Sequence, residues 1–226
     1  MELIHALNRG VDGREIFLDS QDYARFVQSL FEFNDQTPVA HLKRRMSSNG
    51  DTLDLQDKTY RRRMVDVHGW CLMKNHYHLL LSERVENGLT SFLRKLNIGY
   101  AKYFNEKYKR VGALFQGRTK KIHIKQQSHF LYILHYIHLN PLDYFNNHTG
   151  WRHRDKGTIQ DTRGALEYLE KYRWSSYLDY CRIHNFPSVL TMSLFNNRDV
   201  FGNYQEELKG YIKEIGTDLP STLTLE

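Results

Sequence analysis

Cysteine is scarce in this chain, long apolar runs are missing, and no segment repeats. The two cysteines, Cys71 and Cys181, lack the number and spacing of a disulfide framework or a zinc knuckle, which favours a reducing compartment. No apolar stretch reaches the roughly 20 residues needed to cross a bilayer, and the N-terminus lacks the apolar core of a signal peptide. These absences argue against secreted disulfide-rich proteins and membrane-spanning proteins, and the sequence predicts a soluble, cytoplasmic protein.

The chain is rich instead in positive charge and aromatic rings. Lys and Arg number 32 against 26 for Asp and Glu, and the resulting net charge of +6 favours a polyanionic partner. The 15 tyrosines suit either stacking on nucleic-acid bases or an ordinary aromatic core. At 226 residues the chain is long enough for one domain, or for one domain with an extension.

The apolar periodicity predicts elements in the order β–α–β–β–α–β–α. These are a strand over residues 3–8, a helix capped by Asp19 or Ser20, a hairpin over 65–73 and 76–81, a helix over 86–107, a basic edge strand over 120–125 and a helix over 130–139. This order is typical of an α+β fold with a ferredoxin-like antiparallel sheet and helices packed on it. We predict a core over 1–145 with an exposed insertion at about 34–60, then over 146–226 a loop-like insertion, polar through residue 164, and a C-terminal helical extension.

The predicted hairpin carries two histidines near its bend. Side chains two apart on a half-buried strand share a face, so His76 and His78 lie side by side. The opposite face carries three apolar residues, Tyr77, Leu79 and Leu81. Two imidazoles placed in this way can bind one divalent ion. The alternative is a pair of surface or hydrogen-bonded structural histidines.

The helix over 130–139 offers phenols and an amide on one face. Tyr136 and Asn140 are four residues apart, and Tyr132 extends the same row. Set against the histidine face, this row would supply the parts for metal-assisted attack of a tyrosine on a phosphodiester. Spacing does not choose between the two tyrosines. The alternatives are a tyrosine in the core and an asparagine that ends the helix before Pro141.

Several segments together resemble one known family. His76-Tyr77-His78 resembles the histidine-hydrophobic-histidine motif of the HUH single-strand endonucleases. More narrowly, the chain resembles the IS200-like transposases with one catalytic tyrosine, especially the REP-associated tyrosine transposases. The matching text is Asn8-Arg9-Gly10, LMKNHYHLLLS (72–82), KYFNEKYKRVGALFQGRTK (102–120), YIHLNPLDY (136–144), WSSY (174–177) and Leu194-Phe195. Lys74 stands where the family often has proline, and the stretches 34–60 and 146–171 are longer than is typical of it.

The resemblance implies a role for each site residue. It assigns the nucleophile to Tyr136 and the metal ligands to His76, His78 and Asn140, with Mg²⁺ or Mn²⁺ as the cofactor. Imidazoles by themselves also suit zinc, nickel or copper. The implied activity is cleavage and transfer of single-stranded DNA at REP-like, hairpin-flanked sites through a 5′-phosphotyrosine, by a nucleoid-associated enzyme that is a monomer rather than a dimer.

Basic residues cluster around the predicted hairpin and edge strand, and this clustering indicates contacts with nucleic acid. The candidates are Arg9, Arg14, Arg61, Arg62, Arg118, Lys120 and Lys121, with Arg118 the foremost. Two other functions fit the same features. One is a domesticated hairpin-DNA-binding regulator that keeps the fold without turnover. The other is an RNA-binding protein in which the paired histidines are incidental.

Overall fold

The computed structural model of the chain describes residues 2–37, 61–125, 128–145, 159, 161–194 and 203–214. Its strands are β1 (Leu3–Arg9), β2 (Val65–Met73), β3 (His76–Glu83) and β4 (Lys120–Ile124). Its helices are α1 (Ser20–Glu32), α2 (Gly88–Lys107), α3 (Ser128–Leu139), α4 (Thr162–Lys171), α5 (Tyr177–Tyr180) and α6 (Tyr204–Glu214). Short 3-10 turns span Val11–Gly13, Asn140–Tyr144, Pro187–Val189 and Met192–Leu194. The predicted order of elements as far as α3 is confirmed.

The four strands pair in the order β2-β3-β1-β4, each antiparallel to its neighbour. A two-residue turn at Lys74 and Asn75 joins β2 to β3, whereas α1 and α2 form the crossovers from β1 to β2 and from β3 to β4. This is the ferredoxin-like antiparallel sheet predicted from the sequence. As expected from its exposed lysines, β4 lies at an edge of the sheet.

Alternation along β3 divides the core into two layers. Tyr77, Leu79 and Leu81 pack with α1 and α2 on one face of the sheet. Leu80 packs on the other face with residues of α3, α4 and α6. The prediction of a half-buried strand is therefore wrong, because helices from the C-terminal part of the chain cover the second face and bury β3 along most of its length.

Gly69 in β2 allows α3 to approach the sheet closely. A Cβ atom at this position would lie 2.7 Å from Leu134 Cδ1 of α3, so the end of the leucine side chain would have to move. Glycine inside a strand commonly marks such a close approach. The missing side chain therefore leaves room for Leu134 against the sheet face that carries the two histidines.

The C-terminal part of the chain is joined to the sheet through hydrogen bonds as well as apolar packing. Residues 174–176 run beside β2, where Ser176 N donates to Trp70 O at 2.9 Å. On α3, His138 Nδ1 lies 2.6 Å from the Tyr204 hydroxyl of α6, and its Nε2 lies 2.7 Å from Ser176 Oγ. One buried imidazole thus links α3 to α6 and to the segment beside β2.

The predicted exposed insertion begins too early, at Asn34. This side chain is 4% exposed, and its Oδ1 accepts hydrogen bonds from Met64 N and Val65 N, each at 3.0 Å. Asn34 therefore closes the end of α1 onto the start of β2, an interaction between distant residues that local polarity does not reveal. The remainder of the predicted insertion, residues 38–60, lies outside the described residues.

The second polar stretch ends earlier than the sequence predicts. We expected a loop through residue 164, but a helix begins before that residue. Helix α4 begins at Thr162, where the side chain of Asp161 accepts a hydrogen bond from Gly164 N at 2.8 Å. Leu166 and Leu169 of this helix pack in the layer that covers α3. A capping aspartate followed by apolar residues three apart is the signal that the prediction missed.

Candidate active site

The two predicted histidines lie on one face of β3, immediately after the hairpin bend. The ring centroids of His76 and His78 are 4.8 Å apart, with the rings nearly perpendicular. His78 is fully buried and His76 is partly exposed, so the pair has a buried end and an end open to solvent. The bend itself is fixed, because Gly10 N donates to Asn75 O at 2.7 Å.

Each of these imidazoles is held through its Nδ1 atom. His76 Nδ1 lies 2.6 Å from Asn75 Oδ1, and His78 Nδ1 lies 2.9 Å from His5 Nε2 of β1. Histidines that bind metals are commonly oriented by a hydrogen bond at the ring nitrogen that does not face the ion. In both rings Nδ1 is therefore the nitrogen that a neighbouring side chain orients.

Helix α3 places Tyr136 over the same face of the sheet. The centroid of its ring lies 5.9 Å from that of His78 and 6.0 Å from that of His5, edge-on in both cases. Tyr136 is 6% exposed. The structure thus brings the predicted phenol and the histidine strand together within one chain. Tyr132 stacks on Tyr136 with centroids 6.3 Å apart and contacts Tyr211 of α6.

Asn140 lies at the C-terminal end of α3 and is fully buried. Its Nδ2 donates to Tyr136 O at 2.8 Å and to Ile137 O at 3.4 Å, so it satisfies carbonyl groups that the end of a helix leaves without an intrahelical partner. The helix-ending role considered from the sequence is therefore present. It orients the amide with Nδ2 toward the carbonyl groups of the helix end.

His5 is a third imidazole of the site, and the sequence analysis missed it. It is fully buried on β1 and stacks on His78 with ring centroids 5.1 Å apart. Burial, then the nearby charges of Lys120 and His76, lowers the pKa of His5 from 6.5 to about 3, so this imidazole is neutral. The alternation of Leu3, His5 and Leu7 shows only that His5 shares a face with apolar residues; the β1–β3 register is needed to place it beside His78.

Four of the predicted DNA-contact residues lie around the open end of the site. Arg9 is directly opposite His76 in the β1–β3 register, and Lys120 is opposite Leu7 on the same face. Arg14 follows the turn whose Gly13 O accepts from Asn75 Nδ2 at 3.2 Å, and Arg118 is in the loop that leads into β4. All four are exposed. Arg9 Nε also donates to Gln116 Oε1 in that loop.

Gly10 allows the chain to turn sharply beside this open end. A Cβ atom at Gly10 would lie 2.2 Å from Arg14 O, so no larger residue fits without moving the backbone. The conformation brings Arg9 and Arg14 to the same end of the sheet as the hairpin bend.

The other three basic candidates lie elsewhere. Arg61 and Arg62 precede β2, whose first residues pair with the last residues of β3, at the opposite end of the sheet from His76. The Arg61 guanidinium lies 3.6 Å from the centroid of the Phe31 ring, which is a structural contact. Lys121 points to the other face of β4, where its Nζ donates to Thr90 Oγ1 at 2.9 Å.

In the part of the chain that the structure describes, no group of three or more His, Cys, Asp or Glu side chains is arranged to hold a metal ion. The predicted ligand set, two imidazoles and an amide, is not of that type. Among the same residues, no helix has the length and apolar character that crossing a membrane requires.

Comparisons with known proteins agree with the resemblance found in the sequence. A model of the family described as "Transposase IS200 like" matches residues 44–140, somewhat less than half of the chain. A solved structure of a REP-associated tyrosine transposase bound to a REP hairpin aligns over 84% of this chain and 85% of that chain, with 12% identity and a TM-score of 0.49. That likeness is too distant to assign an activity. Curated proteins yield no match. Over the segment that carries both hairpin histidines, Tyr136 and Asn140, the chain is similar to the IS200-like transposase family.

Proposed function

We propose that this chain is a metal-dependent single-stranded DNA endonuclease and strand transferase that acts at hairpin-flanked sites through a 5′-phosphotyrosine on Tyr136. The observation that carries the proposal is the position of the Tyr136 ring, 5.9 Å from the ring of His78. Both residues lie within the segment matched by the transposase family model. Because one chain supplies both, a monomer can form the whole site.

The donor set fits a divalent cation. His76 and His78 would bind it through Nε2, since the Nδ1 atoms of both rings are engaged by Asn75 and His5. Asn140 would add its Oδ1 atom. Two nitrogens and an amide oxygen leave room for phosphate oxygens and water around Mg²⁺ or Mn²⁺. A bound cation polarises the phosphodiester and stabilises the negative charge that develops during attack.

Tyr136 supplies the nucleophile. Its phenolic oxygen attacks the phosphorus, the bond from phosphorus to the 3′ oxygen breaks, and the DNA 5′ end becomes a phosphotyrosine. The phenol loses one proton and the departing 3′ oxygen gains one, so the step is balanced. Since the covalent intermediate retains the energy of the phosphodiester, attack by another 3′-OH rejoins DNA and releases Tyr136.

The DNA strand would enter at the exposed end of the site. His78 and Tyr136 are buried whereas His76 is partly exposed, so the scissile phosphate approaches from the hairpin bend. Arg9, Arg118 and Lys120 lie at this end and can contact the neighbouring phosphates.

The proposal is tested by incubating the protein with labelled single strands that contain hairpins taken from the flanks of the encoding gene. With Mn²⁺ or Mg²⁺ a labelled, denaturation-resistant adduct is expected; with a chelator it is not. An adduct that forms equally well in the chelator would contradict the metal dependence. No adduct on any hairpin, together with metal-independent binding, would favour the regulator instead.

The placement of two neighbouring lysines gives a matched test of the DNA path. Lys120→Ala is expected to weaken binding of hairpin DNA and to reduce the slope of log K against log salt by about 0.7, the contribution of one phosphate contact on a single strand. Lys121→Ala is the control, because Lys121 is as exposed but faces α2. Salt-titrated fluorescence anisotropy measures both slopes. Equal losses from the two substitutions would contradict entry along the histidine face.

A further inference from the structure

His5 contacts the candidate metal ligand His78 through a hydrogen bond between two ring nitrogens. Its Nε2 lies 2.9 Å from His78 Nδ1, and both side chains are fully buried. The two rings are within 16° of parallel, which fixes the orientation of one ring relative to the other.

A hydrogen bond between two neutral imidazoles admits two proton arrangements. In the first, His78 carries its proton on Nδ1 and donates it to His5 Nε2, so that His78 Nε2 bears a lone pair. In the second, His5 donates, and His78 carries its proton on Nε2. Only the first arrangement allows His78 to bind a cation through Nε2, because a protonated ring nitrogen has no lone pair for a metal.

The ring of His5 is held by His78 and by its packing. If His5 accepts at Nε2 it carries its own proton on Nδ1, which is buried and has no hydrogen-bond partner among the described residues, so no second hydrogen bond there turns the ring. Tyr136 packs edge-on against it, with centroids 6.0 Å apart. His5 therefore contacts both the proposed nucleophile and one proposed ligand.

We propose that His5 is a positioning residue that accepts a hydrogen bond from His78 Nδ1 and thereby sets the tautomer and ring orientation in which His78 presents Nε2 to a divalent cation. This inference rests on the proposed function, because it assumes that His78 is a ligand. It extends that function to a residue on β1, which lies outside the segment matched by the family model.

Three substitutions separate this role from simple packing. In His5→Gln the side-chain oxygen reaches the position of Nε2 and can accept from His78. In His5→Asn the amide is one carbon shorter and reaches only the position of Nδ1. His5→Leu fills the space without an acceptor. The readout is the affinity for Mn²⁺ alone, measured by calorimetry or by electron paramagnetic resonance, with metal-free thermal unfolding measured in parallel.

We expect Mn²⁺ affinity to fall roughly 10–100-fold in His5→Asn and His5→Leu, the range reported for loss of outer hydrogen-bond partners, and to be largely retained in His5→Gln. Unchanged affinity in both His5→Asn and His5→Leu would overturn the inference. An equal loss in His5→Gln and His5→Asn would also overturn it, because packing alone would then explain the effect. Should His5→Leu fail to fold, the Gln and Asn variants still decide.

His78→Ala distinguishes failure of this inference from failure of the proposed function. If His78→Ala weakens Mn²⁺ binding but His5→Asn and His5→Leu do not, His78 is a ligand and only the role of His5 is wrong. If His78→Ala leaves Mn²⁺ binding unchanged, the cation does not bind at the hairpin, and both proposals fail.

Discussion

Tyr136→Phe is expected to abolish the covalent DNA adduct while leaving hairpin binding intact. The substitution removes only the phenolic oxygen, the atom proposed to attack the phosphorus, and keeps the ring that packs against His78 and His5. A labelled hairpin strand, run with Mn²⁺ on a denaturing gel, measures the adduct. Anisotropy on the same strand measures binding. An undiminished adduct in Tyr136→Phe would show that another group is the nucleophile.

Tyr132→Phe is the matched control, since Tyr132 lies one helical turn earlier and stacks on Tyr136. We expect this variant to form the adduct as the unmodified protein does. If Tyr132→Phe loses the adduct and Tyr136→Phe retains it, the nucleophile is Tyr132, the alternative that residue spacing left open. Peptide mapping of the adduct would identify the modified tyrosine directly.

The same experiments separate the other two functions. A regulator without turnover would bind the hairpin equally well in the unmodified protein and in Tyr136→Phe, and neither would form an adduct. An RNA-binding protein would prefer RNA over DNA of the same sequence, because the 2′-OH is what distinguishes the two at a given site.

The order of elements was predictable because the apolar residues repeat with clear periods. The alternation from His76 to Leu81 defines the two faces of β3, and the structure places those residues on the predicted faces. The short turn at 74–75 fixes the hairpin and its register. The contact of α3 with the histidine face was only a condition of the hypothesis, and the choice of Tyr136 over Tyr132 came from the resemblance and not from spacing.

His5 and Asn34 show what local pattern cannot supply. His5 joins the site only through the β1–β3 register, and Asn34 is buried only because it bonds to the start of β2. Basic clusters are ambiguous for the same reason, because the sequence shows where charge is concentrated but not where each side chain lies in the fold. Arg61 stacks on Phe31 at one end of the sheet, whereas Arg9 lies opposite His76 at the other. Long-range pairing decides each of these cases.

Lowering the pH from about 7.5 to about 5 without added metal is expected to destabilise the fold by several kcal/mol. Burial lowers the pKa of His5 from 6.5 to about 3 and that of His135 from 6.5 to about 4. Burial and the neighbouring His135 hold the pKa of His138 well below 6.5. His135 and His138 belong to α3, and His5 packs against Tyr136 of the same helix. The loss of stability therefore concerns the part of the fold that carries Tyr136.

The sign follows from proton counting. Below pH 6.5 these histidines are protonated in the unfolded chain but stay neutral in the folded chain, so the unfolded state binds more protons and gains stability as the pH falls. His5 and His135 each contribute about 1.4 kcal/mol per pH unit, or about 2 kcal/mol by pH 5, and His138 acts in the same direction. Burial raises the pKa of Asp179 and Glu207, so these carboxyl groups bind protons more readily in the folded chain and oppose this trend.

Urea unfolding across this pH range measures the effect, and His135→Leu supplies its control. His135 packs between Tyr204 and Tyr211, with ring centroids 5.4 and 4.9 Å away, so leucine retains the apolar contacts and removes one titrating group. The slope of the unfolding free energy against pH should then decrease by about 1.4 kcal/mol per pH unit, which corresponds to the loss of one titrating proton. Equal stability at both pH values would mean that these imidazoles are protonated in the folded chain, and hence that water reaches the layer between α3 and its neighbours.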